Sequence, residues 1–511
     1  IGYEAANMVY KGLIGYREDY EEHIRNGRCT CTYNQPVPCV ALCPAHVDIP
    51  GYIALVREGR YADAIRLIRK DNPFPTTCGF ICEHPCEARC RRNMVDDAVN
   101  IRGLKRMAAD YAGKVPPPEC APSTGKTVAV IGGGPGGLSA AYYLQLMGHQ
   151  VTVYEMLPEL GGMLRYGIPN YRLPKDRLNE DIQAILDTGV KVKYGLRIGQ
   201  DITVQELRAS YDAVLITIGA STDKKLGIEG EDAEGVMSAV RFLRDVGKGI
   251  NPDLTGQEVA IVGGGNVSMD AVRSAVRLGA KKVSILYRRR TADMTALPAE
   301  IEGAIAEGVE IRTLRAPSRI ETDENGHIRG IYVTPQMISQ IKGGRASVKP
   351  SGLPDEFVPC TTLIVAIGQN IETEHFEKAG LPVERGKIMA EKFGGFSNLP
   401  GVFAGGDCAT GPATVIRAIA AAKVVAANID EYLGYHHEIT CDVEIPEPNL
   451  DDRVPCGRVE LPEREACERI HDFDGVEQCM TCQEAQQEAN RCLRCDHFGF
   501  GIFKGGREKV W

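Results

Sequence analysis

Two glycine-rich strand–turn–helix motifs constrain the fold of this chain more than any other feature. The first lies in KTVAVIGGGPGGLSAAYYLQLMGHQVTVYE (126–155), where a β-branched strand precedes the glycines and a second strand ends at Glu155. Such glycines allow a tight turn and a close approach of the backbone to a pyrophosphate, which then faces the free N–H groups of the helix N-terminus. The acidic strand end can accept hydrogen bonds from an adenosine ribose. The motif predicts a dinucleotide site whose turn residues are Gly132, Gly134, Pro135 and Gly137.

The second motif lies in EVAIVGGGNVSMDAVRSAVRLGAKKVSILYRRR (258–290) and differs at the ribose end. Its second strand ends in three arginines, where an acidic residue would hold the 2′-hydroxyl of NAD. Cations at this place favour the 2′-phosphate of NADP, although a solvated arginine run is the alternative. The residues predicted to contact the nucleotide are Gly263, Gly265, Asn266, Val267, Arg288 and Arg289.

Two such folds in one chain predict two dinucleotides that face each other, FAD and a nicotinamide. The stretches 211–221 and 361–370, the second containing Gly368, read as buried strands where the chain crosses between the two domains. Further on, Asp407 follows a strand, and a helix then opens near Thr414 and Val415. Asp407 is placed to bind a flavin ribityl hydroxyl while the helix N-terminus faces the flavin. An ordinary helix N-cap is the alternative role for Asp407.

The chain contains 18 cysteines, and most of them fall into two groups. The first group includes a C-x3-C-x3-C-x3-C run from Cys78 to Cys90, and Cys43 precedes a proline. A [4Fe–4S] cluster needs four thiolates, commonly one of them remote in sequence and next to a proline. Zinc is the competitor, but C-x2-C knuckles suit it better. The second group is a C-x2-C-x9-C-x2-C pattern in the tail and predicts a metal site, either iron–sulfur or zinc: Cys479, Cys482, Cys492 and Cys495.

These patterns predict an α/β protein with two Rossmann-like dinucleotide-binding domains, preceded by a helical iron–sulfur domain and followed by a cysteine-rich tail. The net charge of −9 argues against nucleic-acid binding. The sequence has neither a membrane-spanning apolar run nor a visible signal peptide, so we expect a cytoplasmic protein. The predicted segments are 1–120 (helical iron–sulfur), 124–225 and 361–436 (the two parts of the FAD domain), 226–360 (nicotinamide nucleotide) and 437–511 (tail).

Several segments together resemble the FAD- and NADPH-binding small-subunit family of glutamate synthase. The same module forms the N-terminal part of dihydropyrimidine dehydrogenase and the large subunit of NADH-dependent ferredoxin:NADP⁺ transhydrogenase. The resemblance implies that Gly162, Met163 and Arg172 join Glu155 and Asp407 around FAD. It is carried by CVALCPAHVDIPGYI (39–53), NPFPTTCGFICEHPCEARC (72–90), GGMLRYGIPNYRLPKD (161–176), GGGNVSMD (263–270), YRRRTADMTALPAEI (287–301) and AGGDCATGPATVIRAI (404–419).

The resemblance also implies a cluster bound by Cys43, Cys82, Cys86 and Cys90. This chain departs from the family pattern for a second cluster. Its N-terminal cysteine pair, Cys29 and Cys31, is spaced C-x-C rather than C-x2-C. Lys105 stands where the family has a Gln or Glu ligand. The tail segment EANRCLRCD (488–496) is similar to the motif that the family places at its N-terminus. Two hypotheses follow: the four tail cysteines bind their own metal, or the last two of them complete a cluster with Cys39.

The implied function is electron transfer between NADP(H), flavin and [4Fe–4S] clusters, ending on ferredoxin or on other redox subunits of a hetero-oligomeric complex. Flavin-based bifurcation in a transhydrogenase-type complex is one form of this function. Residues 15–29 are weakly similar to NADH-binding subunits of hydrogenases and complex I, which points to such a larger assembly; an amphipathic surface helix is the alternative interpretation of this segment. The alternatives are the small subunit of an NADPH glutamate synthase and a non-enzymatic scaffold subunit, which the intact glycine motifs argue against.

Overall fold

The computed structural model describes residues 37–343, 345–391, 394–449 and 455–496, so Cys29, Cys31 and the segment 15–29 lie outside the described residues. The described chain begins with a helical unit that contains two 3₁₀ helices, Pro85–Arg89 and Arg91–Met94. Its α-helices are α1 (Pro38–Leu42), α2 (Ile49–Arg57), α3 (Tyr61–Asp71), α4 (Pro75–Ile81) and α5 (Ile101–Tyr111).

Prolines and polar caps set where these helices begin. Proline stands in the first turn of α1, α2 and α4, where its missing N–H costs no helical hydrogen bond. The Asp48 carboxylate accepts a hydrogen bond from Gly51 N (3.0 Å) at the start of α2. The Asn100 side chain does the same for Gly103 N (2.9 Å) at the start of α5. The local sequence therefore explains why this unit consists of short helices.

The first five-stranded sheet is parallel throughout, in the order β18-β4-β1-β2-β3. Because Ile131 ends β1 beside Tyr154 of β2 and Ile216 of β4, the first glycine turn lies at the carboxyl edge of the sheet. Its strands are β1 (Thr127–Ile131), β2 (Gln150–Glu155), β3 (Lys191–Tyr194), β4 (Ala213–Ile216) and β18 (Val402–Ala404). Its helices are α6 (Pro135–Leu146), α7 (Met163–Tyr166), α8 (Lys175–Leu186), α9 (Val204–Ser210), α13 (Glu374–Lys378), α14 (Asp407–Thr410) and α15 (Val415–Tyr432).

A second five-stranded parallel sheet, in the order β6-β14-β7-β8-β9, is inserted between β4 and β18. The predicted pair of Rossmann-like domains is thus confirmed. The strands are β6 (Val236–Ser238), β7 (Glu258–Val262), β8 (Lys282–Tyr287), β9 (Glu310–Thr313) and β14 (Thr362–Val365). The helices are α10 (Ala239–Gly247), α11 (Asn266–Arg277) and α12 (Pro298–Ala306).

Small two-stranded ribbons accompany the two sheets. Where the chain crosses between the domains, β5 (Thr222–Asp223) pairs antiparallel with β15 (Gln369–Asn370). The crossing strands read from the sequence are confirmed here, since β4 and β14 precede the two halves of this ribbon. A second ribbon joins β16 (Val383–Glu384) to β17 (Lys387–Ile388).

The sequence pattern indicates strands that alternate with helices from Lys126 to about residue 436, but the second domain interrupts this alternation. The second domain carries an antiparallel sheet, formed because Gly326 and Gly343, both with positive φ, lie in the turns before β11 and β12. Glycine takes this backbone conformation without strain and so permits tight hairpins. The strands are β10 (Arg315–Thr322), β11 (Ile328–Lys342), β12 (Arg345–Pro350) and β13 (Glu356–Pro359).

The tail does not form a separate unit. It contains α16 (Ala466–Arg469) and α17 (Cys482–Asn490), and α17 packs against α2 and α5 of the helical unit. Met480 and Ala485 of the tail belong to one hydrophobic core that also includes residues of the helical unit and of the first sheet. The second sheet has a core of its own. The helical unit, the first sheet and the tail therefore stabilise one another.

None of the helices within the described ranges has the length and apolar character needed to cross a lipid bilayer.

Candidate redox site: two dinucleotide cavities beside clustered thiols

The first cavity opens at the carboxyl edge of the first sheet. Glycine is required at several points of its wall. Gly132 has a φ of +104°, and a Cβ there would lie 2.6 Å from Thr217 O. A Cβ on Gly162 would lie 2.9 Å from the Cα of Gly134, so these two backbones approach each other closely. The predicted site residues that line this cavity are Gly132, Gly134, Pro135, Glu155, Gly162, Met163 and Asp407.

The buried Glu155 carboxylate fixes the glycine turn from the end of β2. It accepts hydrogen bonds from Gly133 N (2.7 Å) and Leu157 N (2.8 Å). Burial raises the pKa of Glu155, while these N–H groups oppose the shift. The carboxylate lies where a ribose is expected. Each of its two oxygens already accepts one backbone hydrogen bond from the turn.

Gly137 lies behind the cavity wall rather than in it. A Cβ there would come within 1.9 Å of Gly132 O, so glycine is needed for α6 to pack against β1. This is the helix-packing role that the third glycine of such a motif serves.

Asp407 stands at the start of α14 and faces the first cavity. Its carboxylate accepts a hydrogen bond from Ala413 N (3.2 Å), and burial raises its pKa to about 6. Ala413 and the predicted Thr414 line the second cavity, and Val415 begins α15 just behind them. The hydrogen bond between Asp407 and Ala413 therefore joins the walls of the two cavities.

The second cavity lies along the second glycine motif. No acidic residue stands at the end of β8, and the arginines there face this cavity, which suits a 2′-phosphate. Arg289 is fixed by a hydrogen bond from its Nε to Ala346 O (2.9 Å), whereas Arg290 pairs with Asp293. The predicted residues that line the cavity are Gly263, Gly265, Asn266, Val267, Arg288, Arg289, Gly368 and Thr414.

Sequence reasoning missed further charged residues in both cavities. Lys224 and Arg345 line the second cavity, and Arg197 and Arg244 line the first. Arg345 is the first residue of β12 in the antiparallel sheet. Its position therefore depends on strand pairing, which no local sequence motif predicts. No signal in the sequence marks it as a nucleotide contact.

Arg172 lines neither cavity. It lies between the two dinucleotide-binding domains, where its guanidinium pairs with Asp270 of α11 (2.9 Å) and Glu300 of α12 (3.0 Å). In this position Arg172 joins the first domain to the second, and its predicted contact with FAD stays a prediction.

The cysteines of the helical unit form two neighbouring sets. Cys43, Cys78, Cys82 and Cys86 are buried around Lys105. Burial raises the pKa of the Cys43 thiol, and the Lys105 ammonium opposes that shift. Three of these cysteines belong to the predicted ligand set, and their soft thiol donors suit an iron–sulfur cluster.

The fourth predicted ligand of that cluster, Cys90, lies in the other set. It lines a small cavity together with Cys39, Cys492 and Cys495. Burial raises the pKa of Cys39, and the thiols of Cys492 and Cys90 are among the neighbours that add to the rise. The structure thus brings Cys90 to the tail cysteines, which the sequence spacing did not indicate.

The four cysteines of the C-x2-C-x9-C-x2-C pattern are not brought together. Cys482 begins α17 and Cys492 follows its end, and a helix of nine residues is about 13.5 Å long. Cys479 lies near Met107 instead (Sγ to Sδ 3.7 Å), at the other end of α17 from Cys492 and Cys495. Of the two hypotheses for the tail, the geometry favours the one that joins its last two cysteines to Cys39.

Comparison with known proteins identifies the two parts of the chain. Residues 126–422 match the family model for pyridine nucleotide-disulphide oxidoreductases. Residues 14–115 match the model for domain II of dihydropyrimidine dehydrogenase, described as a 4Fe–4S cluster domain. The first match covers more than half of the chain and coincides with the two parallel sheets and their insertion.

Three relatives are similar over most of the chain. The β subunit of an NADP⁺-dependent formate dehydrogenase from Moorella thermoacetica is 38% identical, over 92% of this chain and 72% of the relative. The β subunit of an NADPH-Fe(3+) oxidoreductase from Geobacter sulfurreducens is 36% identical, over 95% and 80%. The small chain of the NADPH glutamate synthase of Escherichia coli K12 is 33% identical, over 77% and 88%. The resemblance read from the sequence motifs is thereby confirmed.

These matches agree with the geometry, in which two glycine-lined dinucleotide cavities lie beside buried thiols. FAD, NADP(H) and a [4Fe–4S] cluster are the cofactors of this arrangement. The chain belongs to the pyridine nucleotide-disulphide oxidoreductase family, in the NADPH-dependent iron–sulfur flavoprotein branch that includes the glutamate synthase small chain.

Proposed function

We propose that this chain passes electrons from NADPH, by way of FAD and its iron–sulfur clusters, to ferredoxin or to a partner subunit of a larger redox complex. The contact between Asp407 and Ala413 carries the proposal, because it joins the walls of the two dinucleotide cavities. Two of the relatives are β subunits, which favours a partner subunit as the acceptor.

The thiol set around Lys105 also lies close to the second cavity, through the residue next to Cys82. Glu83, which follows Cys82, lines that cavity and accepts a hydrogen bond from the Asn266 side chain (2.8 Å) at the start of α11. A predicted cluster ligand is therefore the direct sequence neighbour of a residue in the nucleotide-binding wall. This proximity fits a path in which the flavin, once reduced by the nucleotide, passes electrons to a nearby cluster.

The residues of the chain bind the two dinucleotides and orient them toward each other. The turn at Gly132 and the N-terminus of α6 hold a pyrophosphate through free backbone N–H groups. Arg288 and Arg345 bring positive charge to the second cavity, where a 2′-phosphate is the matching anion. A bound flavin supplies the conversion between two-electron exchange with a nicotinamide and one-electron exchange with a cluster. We assign no proton-transferring or nucleophilic side chain, because hydride transfer needs orientation rather than a protein nucleophile.

The test is anaerobic stopped-flow reduction of the purified chain by NADPH and by NADH, with FAD, iron and sulfide quantified in the same sample. We expect rapid bleaching of the flavin band by NADPH, slower bleaching by NADH, and later reduction of the clusters. A preference for NADH would contradict the role of the arginines. A preparation that holds no flavin after anaerobic reconstitution would contradict the whole proposal.

The small subunit of an NADPH glutamate synthase is the second candidate, and the 33% identity to such a chain favours it. In that case the acceptor is a glutamine-dependent large subunit rather than a ferredoxin. Co-purification from the source cells separates the two, because a glutamate synthase large subunit would be recovered with the chain. Transfer from NADPH to ferredoxin in the absence of such a subunit would favour the first candidate.

A further inference from the structure

Four cysteine side chains from opposite ends of the described chain line one small cavity. Cys39 lies in α1, Cys90 follows the first 3₁₀ helix, and Cys492 and Cys495 follow α17. More than four hundred residues separate the first from the last along the sequence. Their meeting is therefore a property of the tertiary structure.

Buried polar contacts hold the tail in this position. The Glu488 side chain is fully buried, and its carboxylate accepts hydrogen bonds from Asn100 N (2.7 Å) and Val459 N (2.7 Å). A buried carboxylate costs stability unless such partners satisfy it, so the contact specifies a single docking position. Glu488 lies one helical turn before Cys492.

The residues beside the two tail cysteines are fixed as well. Arg491 is 1% exposed, pairs with Glu488 (2.7 Å) and donates to Asp97 O (2.6 Å) in the helical unit. Arg494, between the two cysteines, adopts a φ of +49° and donates to Pro446 O (2.9 Å). The C-x2-C turn is thus held from both sides while its thiols face the cavity.

The charge around the cavity suits an anionic metal centre. Arg89, Arg91 and Arg92 line it together with the four thiols. Four thiolates carry four negative charges, which a buried site tolerates only with a metal and nearby cations.

The spacing of the thiols distinguishes a cluster from a single ion. Tetrahedral zinc with bonds of about 2.3 Å holds its sulfur ligands roughly 3.8 Å apart. Among the described residues, no three cysteine thiols lie within 4.8 Å of one another, since His149, Asp430 and His437 form the one group that close. A [4Fe–4S] cluster does not require such closely spaced thiols, because each thiolate binds a different iron.

We propose that Cys39, Cys90, Cys492 and Cys495 bind a second [4Fe–4S] cluster, which joins the tail to the helical unit. The binding site depends only on these contacts, whereas its place in the electron path rests on the proposed function. Cys39 and Cys43 share α1, and Cys86 and Cys90 lie in and directly after one 3₁₀ helix. The second cluster is therefore adjacent to the thiol set around Lys105.

The test compares Cys492→Ser with Cys482→Ser in the full chain, purified anaerobically. Cys482 is an exposed cysteine of the same tail at the other end of α17, so its substitution is the matched control. We expect the Cys492 variant to lose about four irons and four sulfides per chain and one reduced-cluster signal in electron paramagnetic resonance. The Cys482 variant should keep the iron and sulfide content of the unchanged protein. Equal iron in both variants, or zinc in the unchanged protein at one equivalent, would overturn the proposal.

Two further measurements keep the outcome clear. Flavin content and flavin reduction by NADPH are measured in the unchanged protein and in the Cys482 variant, so a failure of the proposed function is seen separately from a failure of the second site. Metal analysis of the unchanged protein does not depend on how any variant folds. About eight irons per chain are expected, and four or fewer would count against a second cluster even if the Cys492 variant proved unstable.

Discussion

At the scale of single residues, Asp407 lines the first cavity, and its burial there destabilises the folded protein when the carboxylate is charged. Burial raises its pKa from the ordinary 3.8 to about 6, so the charged form destabilises the flavin-free protein. Because the native state binds this proton more tightly than the unfolded state, the stabilising contribution is present below about pH 4 and is lost as the pH rises through 6. A bound ribityl hydroxyl that donates a hydrogen bond to the carboxylate would offset this destabilisation.

We therefore predict that Asp407→Asn stabilises the flavin-free protein at pH 8, by about 1–2 kcal/mol, and leaves its stability at pH 4 nearly unchanged. The same substitution should weaken FAD binding, and binding to the unchanged protein should weaken by up to about tenfold per pH unit below 6. Thermal unfolding of the flavin-free protein and fluorescence titration with FAD measure the two effects. A destabilised variant at pH 8 would contradict this account of Asp407.

The arginines of the second cavity give a prediction about nucleotide choice. Arg288→Gln and Arg345→Gln should each raise KM for NADPH about 10- to 100-fold, because a charge-assisted contact to phosphate is lost, and should leave KM for NADH nearly unchanged. Steady-state flavin reduction with both nucleotides checks this. Arg312→Gln is the control, since Arg312 pairs with Glu310 on β9 and does not line the cavity. An equal loss with both nucleotides would place the two arginines outside the 2′-phosphate site.

The two arginines also show how far sequence reasoning reaches. Arg288 was found because a strand end after a glycine motif is a local and recurrent position for a ribose contact. Arg345 could not be found in this way, since the pairing of β11 with β12 brings it to the cavity. For the same reason the family resemblance implied Cys90 as a partner of Cys86, whereas the docking of a distant tail places it beside Cys495.

At the scale of elements, a buried ionic cluster joins the helices of the second domain to the tail. Glu307, at the end of α12, accepts from Arg273 (2.8 Å) and Arg277 (2.6 Å) of α11 and from Arg469 (2.8 Å) of α16. Although burial opposes its charge, the hydrogen bonds from Arg277 and Arg273 lower the pKa of Glu307 to about 2. The carboxylate therefore stays charged across the physiological range.

We predict that Glu307→Gln destabilises the protein by about 3–5 kcal/mol, because three buried guanidinium groups lose their common counter-charge. In the unchanged protein this contribution is present above pH 4.5 and is lost as the pH falls toward 2. Denaturant unfolding at pH 7 measures the loss. Glu310→Gln, at an exposed position on β9, should cost less than about 1 kcal/mol. Similar losses in the two variants would argue against the buried cluster as the cause.

The elements themselves were mostly predictable from local patterns. Short β-branched strands before glycine turns, followed by helices, identified both parallel sheets because turn chemistry and strand burial are encoded within about 30 residues. The antiparallel strands from β10 to β13 were not predicted, since their half-buried faces give a weak pattern and their pairing depends on the domain around them.

At the scale of the whole molecule, the tail stabilises the helical unit through contacts that cross the entire sequence. Arg102 of α5 pairs with Glu477 (2.5 Å), and Arg458 pairs with Glu87 (2.9 Å). Together with Glu488 these contacts hold the tail over α2 and α5. Without the tail, the helical unit would lose these contacts and the packing of α17 against α2 and α5.

We predict that Glu488→Ala releases the tail, because the N–H groups of Asn100 and Val459 lose their buried acceptor. Proteolysis of the native protein should then cut within 455–496 at least about tenfold faster, and iron content should fall. Gln486→Ala, at an exposed position of the same helix, should leave both unchanged. Unchanged cleavage of the Glu488 variant would mean that the tail is held by other contacts.

The meeting of Cys39 with Cys492 and Cys495 beside α1 has an evolutionary consequence. A binding site formed by segments that are neighbours in space places no demand on their order along the polypeptide. A rearranged gene that moved the EANRCLRCD segment ahead of α1 would present the same ligands from the same side. Cysteine motifs that occupy opposite termini in related proteins can therefore be equivalent, and alignments that compare them only in linear order will miss the correspondence.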